Sequence, residues 1–260
     1  MLTLWGARSS GKTVFLVTLY HEILFNTKKK WRIQPCDERS TKFIEQAHTE
    51  MFKEHIFPEP SPLEDLDQRM FKFDIQMPGI FGKRSRDIQF DFLDPGGEIF
   101  EKPELDAVYG NIVFNTIRES DGLICLLDSS NKKEHEYFSL FIKNFQKLKN
   151  TFNSGRGFFQ IPIPVALCVT KMDNDDNFVN GPEEFDIDAY TRELVGEAPF
   201  QMLTTHMKDY KIFGVSSVGW DKKGTKNYLP AEDGKIRPIG EINPVNVIES
   251  VEWLLRKSAH

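Results

Sequence analysis

At 260 residues, with 40% hydrophobic and 28% charged residues, the chain is long enough to bury a full core without metal or disulfide staples, and its composition excludes wholesale disorder. A formal net charge of −6 argues against a general affinity for nucleic acid or anionic lipid, which needs a basic surface. Cys36, Cys125 and Cys168 are scattered and odd in number, no apolar run approaches the roughly 20 residues of a membrane span, and a motif already occupies the first residues where a signal peptide would lie. The expected location is cytoplasmic.

Residues 2–5 form a short strand that runs into a glycine-bounded loop, and residues 12–26 then show helical apolar spacing. A basic cluster, Lys28, Lys29, Lys30 and Arg32, reads as a solvated turn. Phe43, Ile44, Ala47, Met51 and Phe52 define one face of a helix from about Ser40 to His55. Three prolines and many acids make residues 57–67 an exposed, partly extended loop. Met70 to Met77 and Asp87 to Asp94 alternate in part and predict an antiparallel hairpin. Continuous apolar runs at 122–128, 164–170 and 211–217, separated by helical segments near 133–153 and 186–208, predict a mostly parallel sheet covered on both faces. A last helix spans about Pro244 to Lys257. Residues 220–242 break the pattern and read as an inserted loop or small hairpin.

Four motifs carry chemistry. Gly6-Ala7-Arg8-Ser9-Ser10-Gly11-Lys12-Thr13 fits G-x-x-x-x-G-K-[ST] between a strand and a helix, where the backbone can wrap phosphates, Lys12 can place a charge near the β- and γ-phosphates, and Thr13 can ligate magnesium. Asp94-Pro-Gly-Gly97-Glu98 ends a strand, so that a carboxylate can hold magnesium through water and the Gly97 amide can meet a γ-phosphate. Thr170-Lys171-Met172-Asp173 follows an apolar strand at the sheet edge where ligands bind in such folds. The Asp173 carboxylate can accept hydrogen bonds from guanine's ring N–H and exocyclic amine, whereas adenine presents an acceptor at the corresponding ring position. Ser216 and Ser217, after the last strand, offer backbone amides to a guanine carbonyl.

In this order the motifs resemble those of the Ras-like and translation-factor-like GTPases, and the resemblance covers nearly the whole chain. It implies a three-layer α/β P-loop fold, small-GTPase-like, with a mostly parallel sheet, one antiparallel hairpin strand and insertions near 26–69 and 220–242 of a single domain spanning 1–260. It also implies GTP/GDP and Mg²⁺ as ligands, a protein effector or regulator as partner, and switch regions at 57–69 and 94–110. The ending RPIGEINPVNVIESVEWLL, with the large insertion before the hairpin, further resembles the double-GTPase proteins of bacterial conflict systems.

Two positions depart from the pattern. Ras-like proteins carry a glutamine where this chain has Glu98, which implies slow or differently organised hydrolysis and leaves a GTP-dependent interaction scaffold as the alternative. The switch threonine has no plain counterpart; Ser61, in the proline-rich loop, is the first choice for the metal and Thr41 the second. Arg8 stands where glycine is frequent in relatives and could face solvent or the transferring phosphate. Trp5, Trp220 and Trp253 read as packing residues, with Trp220 placed to act as a lid.

Overall fold

The computed structural model describes residues 1–7, 9–25, 30–58, 70–77, 86–93, 115, 118–131, 138–139, 163–230 and 236–258. Its centre is a seven-stranded sheet in the order β2-β3-β4-β1-β5-β6-β7. The strands are β1 (Leu2–Gly6), β2 (Arg32–Pro35), β3 (Met70–Met77), β4 (Arg86–Leu93), β5 (Gly122–Asp128), β6 (Val165–Thr170) and β7 (Tyr210–Gly214). β4, β1, β5, β6 and β7 run parallel, and β3 pairs antiparallel with both β4 and β2. Every residue of β5 and β6 is buried, as expected for strands covered on both faces.

The two faces are separable by residue parity. Leu2, Leu4, Ile124, Leu126, Ala166 and Cys168 point to one core, while Trp5, Leu123, Cys125, Leu127, Val165, Leu167 and Val169 point to the other. Helices α1 (Lys12–Phe25), α2 (Glu38–Phe52) and the C-terminal helix (Val247–Lys257, α6) bury residues in the first core. The second receives Phe178 from α3 (Asp176–Asn180), Val195 from α4 (Ile187–Val195), and Phe200 and Leu203 from α5 (Glu197–His206). The β3–β4 hairpin contributes Phe71, Phe73, Ile75, Ile88 and Phe90 to the first core alone. Its register sets Phe73 against Phe90 and Ile75 against Ile88, so alternation along each strand becomes one apolar face.

Local chemistry explains where the element boundaries depart from those expected. α2 begins at Glu38 because the Asp37 side chain caps it, accepting from the Ser40 amide at 2.7 Å; this satisfies an orphan donor of the first turn. The expected helix 186–208 is two helices broken at Gly196, whose φ of +86° is open to glycine at little cost. The final helix starts at Val247 rather than Pro244, because Val245 exchanges backbone hydrogen bonds with Ser216. Arg32, expected in a solvated turn, instead opens β2, an edge strand that the sequence reading missed; Ile33 pairs with Ile75 and is buried. Four residues are too few for a period to emerge. The expected 220–242 hairpin forms as β8 (Tyr228–Pro230) and β9 (Ile236–Pro238). The helical segment expected near 133–153 lies outside the described residues apart from 138–139.

Candidate functional site

The loop between β1 and α1 leaves the middle of the sheet. Gly6 is needed for close approach, since a Cβ there would lie 2.5 Å from Ser10 Oγ and 3.0 Å from Leu126 Cβ. Gly11 (φ +85°) and Ser9 (φ +62°) both take left-handed backbone, which costs a non-glycine residue about 1 kcal/mol. The Ser10 amide closes the turn on the Ala7 carbonyl at 3.2 Å. Lys12 is buried, and its Nζ donates to the Gly6 and Ala7 carbonyls at 3.0 and 2.8 Å. An ammonium in this low-dielectric setting, at the N-terminus of a 14-residue helix, attracts an anion strongly. Ser10 Oγ is buried and has no hydrogen-bond partner among the described residues, a polar atom whose desolvation is uncompensated within the loop. Thr13 sits half-buried in the first turn of α1.

Thr170, at the end of β6, ties this loop to the neighbouring strands: its hydroxyl lies 2.8 Å from the Ser10 carbonyl and 3.0 Å from that of Leu127. Lys171 follows in left-handed conformation (φ +60°) and reaches back to Asp128 Oδ2 at 2.6 Å. Asp128, buried at the end of β5, also accepts at Oδ1 from the Ser130 amide and hydroxyl, at 2.9 and 2.6 Å. Sequence reasoning included Asp128 in an apolar run and gave it no role; an acid closing a continuous apolar strand was the signal available.

Asp173 is 4% exposed. Ser216 Oγ donates to its Oδ1 at 2.5 Å and itself accepts from the Gly219 amide at 2.8 Å. The serine therefore acts through its hydroxyl. Its amide, expected to face a base carbonyl, donates instead to Val245 at 3.2 Å, which corrects that expectation for Ser216. Ser217 is half-buried, and its carbonyl accepts from Thr18 Oγ1 at 3.1 Å, linking the last loop to α1. Gly219 (φ +67°) cannot be replaced without movement, because a Cβ would fall 1.7 Å from the Asn243 carbonyl oxygen.

The structure thus gathers Gly6, Ala7, Ser9, Ser10, Gly11, Lys12, Thr13, Thr170, Lys171, Asp173, Ser216 and Ser217 along the C-terminal edge of the parallel strands and the loops and helix N-terminus beside it. Arg8, Ser61, Asp94, Gly97 and Glu98 lie outside the described residues, as do most of the expected switch regions. Sequence reasoning also missed Asn174, Lys226 and Tyr228, which join the 220–242 segment to the turn after β6: Asn174 Oδ1 accepts from Lys226 Nζ at 3.2 Å and from the Tyr228 hydroxyl. Trp220 packs edge-on against Phe178, with centroids 5.9 Å apart.

No protein-family model and no curated protein matches the chain. Similar solved structures include the Arl6 BBS3 small GTPase from Trypanosoma brucei with bound nucleotide analogue GppNp, at 13% identity over 99% of this chain and 96% of that one, with a TM-score of 0.42. The G domain of the T. maritima FeoB iron transporter follows at 12% identity, 100% and 98% coverage and a TM-score of 0.38. The S. cerevisiae Ski7 GTPase-like domain, bound to GTP, has 14% identity, 99% and 49% coverage and a TM-score of 0.48, so this chain spans about half the length of that one. Among the described residues no helix is long and apolar enough to cross a membrane. With a glycine-bounded loop between the central parallel strand and α1, and antiparallel pairing confined to β2, β3 and β4 among the described strands of the sheet, the chain has an α/β fold with a mostly parallel sheet covered by helices on both faces.

Proposed function

We propose that residues 1–260 act as one guanine-nucleotide-binding unit that hydrolyses GTP to GDP slowly, as a cytoplasmic switch read by a protein effector or regulator. The observation that supports it is the buried Asp173 carboxylate, oriented by Ser216, on the same sheet edge as the buried Lys12 and joined to its loop through Thr170. The described residues fit the ligand: the loop has an orphaned hydroxyl, a buried ammonium and glycines where a phosphate must approach.

In this reading Lys12 turns from the loop carbonyls to the β- and γ-phosphates and stabilises charge that develops there on phosphoryl transfer. The backbone of Gly6 to Thr13 donates around the phosphates. Asp173 accepts from the base, while its bond from Ser216 keeps the carboxylate in place; an adenine would leave it without donors. Thr170 couples the two halves, and Lys171, fixed by Asp128, lies beside the base. Bound magnesium would neutralise phosphate charge, with Thr13, Asp94 and Ser61 as the residues to hold it. Gly97 is assigned to sensing the γ-phosphate through its amide.

Glu98 favours a second reading, a GTP-dependent interaction scaffold with little or no hydrolysis, because a carboxylate beside the γ-phosphate adds repulsion where a glutamine would orient water. Single-turnover hydrolysis separates the two. Guanine recognition itself is tested by calorimetric titration of the nucleotide-free protein with GTP, GDP and ATP, each with magnesium, in parallel with Asp173→Asn. The expected result is selective guanine binding that the variant loses; ATP binding as tight as GTP binding, and unaffected by the substitution, would overturn the proposal.

A further inference from the structure

The described part of the segment 220–242 reaches the turn after β6. It delivers two donors to one acceptor: the Tyr228 hydroxyl and Lys226 Nζ both bond Asn174 Oδ1. Asn174 belongs to the short 3-10 turn Met172–Asn174 and is the residue next to Asp173. The tyrosine ring is held from two further sides. Phe57 lies edge-on to it, with centroids 6.4 Å apart and planes at 67°, and Lys226 Nζ stands 6.0 Å from its centroid.

The root of this arm is rigid. Asn227, between the two donors, is buried, and its side-chain amide donates to the Val218 and Glu241 carbonyls at 3.0 and 2.8 Å. Its backbone amide donates to Gly219 at 3.3 Å and its carbonyl accepts from Ile239 at 2.8 Å. Val218 and Gly219 lie two and three residues after Ser216, which orients Asp173, so the arm and the carboxylate share one scaffold. The Tyr228 hydroxyl is held protonated by burial first, then by the neighbouring Asp173 charge and by a hydrogen bond to that carboxylate, all of which raise its pKa, so it acts as a donor across the physiological range. A donor on this arm, bonded to the exposed Asn174, forms a contact that can break without unfolding either partner.

We propose that Tyr228 is a positioning residue for nucleotide passage: a latch on Asn174 that closes the base side of the site and must open for the base to enter or leave. This rests on the guanine-nucleotide reading above. A latch obstructs entry and exit alike, so its removal speeds both and leaves affinity nearly unchanged. A residue that instead contacted the base would slow exit only.

The test is stopped-flow kinetics of a fluorescent GDP on the full chain, in the wild type, Tyr228→Phe, Tyr228→Ala, Asn174→Ala and the Tyr228→Phe/Asn174→Ala double variant, with thermal melting as the control for folding. Loss of one net hydrogen bond predicts association and dissociation rates that both rise about fivefold in Tyr228→Phe and in Asn174→Ala, with Kd changing less than about twofold in Asn174→Ala, which leaves the Asp173 contacts in place, and the double variant no faster than the quicker single one. Unchanged rates in both Tyr228 variants, or faster dissociation with unchanged association, would overturn the latch while leaving guanine binding intact. A wild-type protein that fails to bind GDP would overturn the nucleotide reading, and the latch with it.

Discussion

The loop of residues 6–13 takes its shape from neighbours in sequence: Gly6 makes room for Ser10, Ser10 turns onto Ala7, and Lys12 folds back on Gly6 and Ala7. The base side is assembled from afar. Asp173 is oriented by Ser216, 43 residues on, Lys171 by Asp128, 43 residues back, and Asn174 by Tyr228, 54 residues on. The difference teaches where each half is vulnerable. A local loop fails through its own residues, whereas the edge that carries Asp173 fails through partners distant in sequence.

The sharpest break of the comparison is Lys12→Ala. Loss of a buried, charge-assisted contact to phosphate is expected to weaken GTP, GDP and ATP alike by about a hundredfold in calorimetry, because the phosphates are common to all three. A loss confined to guanine nucleotides would show that the two halves are not separable as drawn. Ser216→Ala probes the other half. Removing one hydrogen bond to a buried carboxylate is expected to weaken GDP by about tenfold and to leave ATP unaffected; equal losses for both nucleotides would place Ser216 in general support of the edge.

The smallest expected effect concerns the far end of α1, the helix that follows the loop of residues 6–13. His21 Nδ1 and His48 Nε2 lie 3.0 Å apart between α1 and α2, stacked with Phe52. Burial, then the neighbouring His48, lowers the His21 pKa to about 4, and burial, then Lys53, lowers that of His48. Both imidazoles are thus held neutral, so the folded chain binds fewer protons than the unfolded chain between the usual value near 6.5 and about 4. The stability this represents is present in full above pH 6.5 and is lost as pH falls toward 4. Both side chains are partly exposed, so solvent screening keeps the effect modest. Thermal melting of the wild type and His21→Gln at pH 7 and pH 5 checks it: the variant is expected to show the shallower fall, and parallel falls would remove His21 from the account.

Much of the fold was legible because its signals are periodic. The runs 122–128 and 164–170 are apolar up to their last residues, Asp128 and Thr170, and emerge as the strands Gly122–Asp128 and Val165–Thr170, buried along their whole length. The alternation in 70–77 and 86–93 emerges as a hairpin with one apolar face. β2 was missed because Arg32–Pro35 carries one buried residue, Ile33, and owes its strand to pairing with β3. The break at Gly196 was missed because apolar spacing continues through it on both sides. At the site, Ser216 was credited with the wrong group: its amide belongs to Val245 and its hydroxyl to Asp173. A serine pair in a loop announces donors and acceptors without saying which of them the backbone has already used.

The sequence by itself determined the loop 6–13, the parallel strands that carry it and the edge on which Thr170, Lys171 and Asp173 stand, because periodicity and glycine placement act over a few residues. Only the tertiary structure decided that Asp128 neutralises Lys171, that Ser216 holds Asp173 and that Tyr228 and Lys226 meet at Asn174. The first two are pairings of buried or half-buried polar groups, and the third brings two half-buried donors to the exposed Asn174. Each is fixed by the need to satisfy a desolvated donor or acceptor with whatever the folded chain brings within 3 Å or so, a condition that has no period and leaves no local mark.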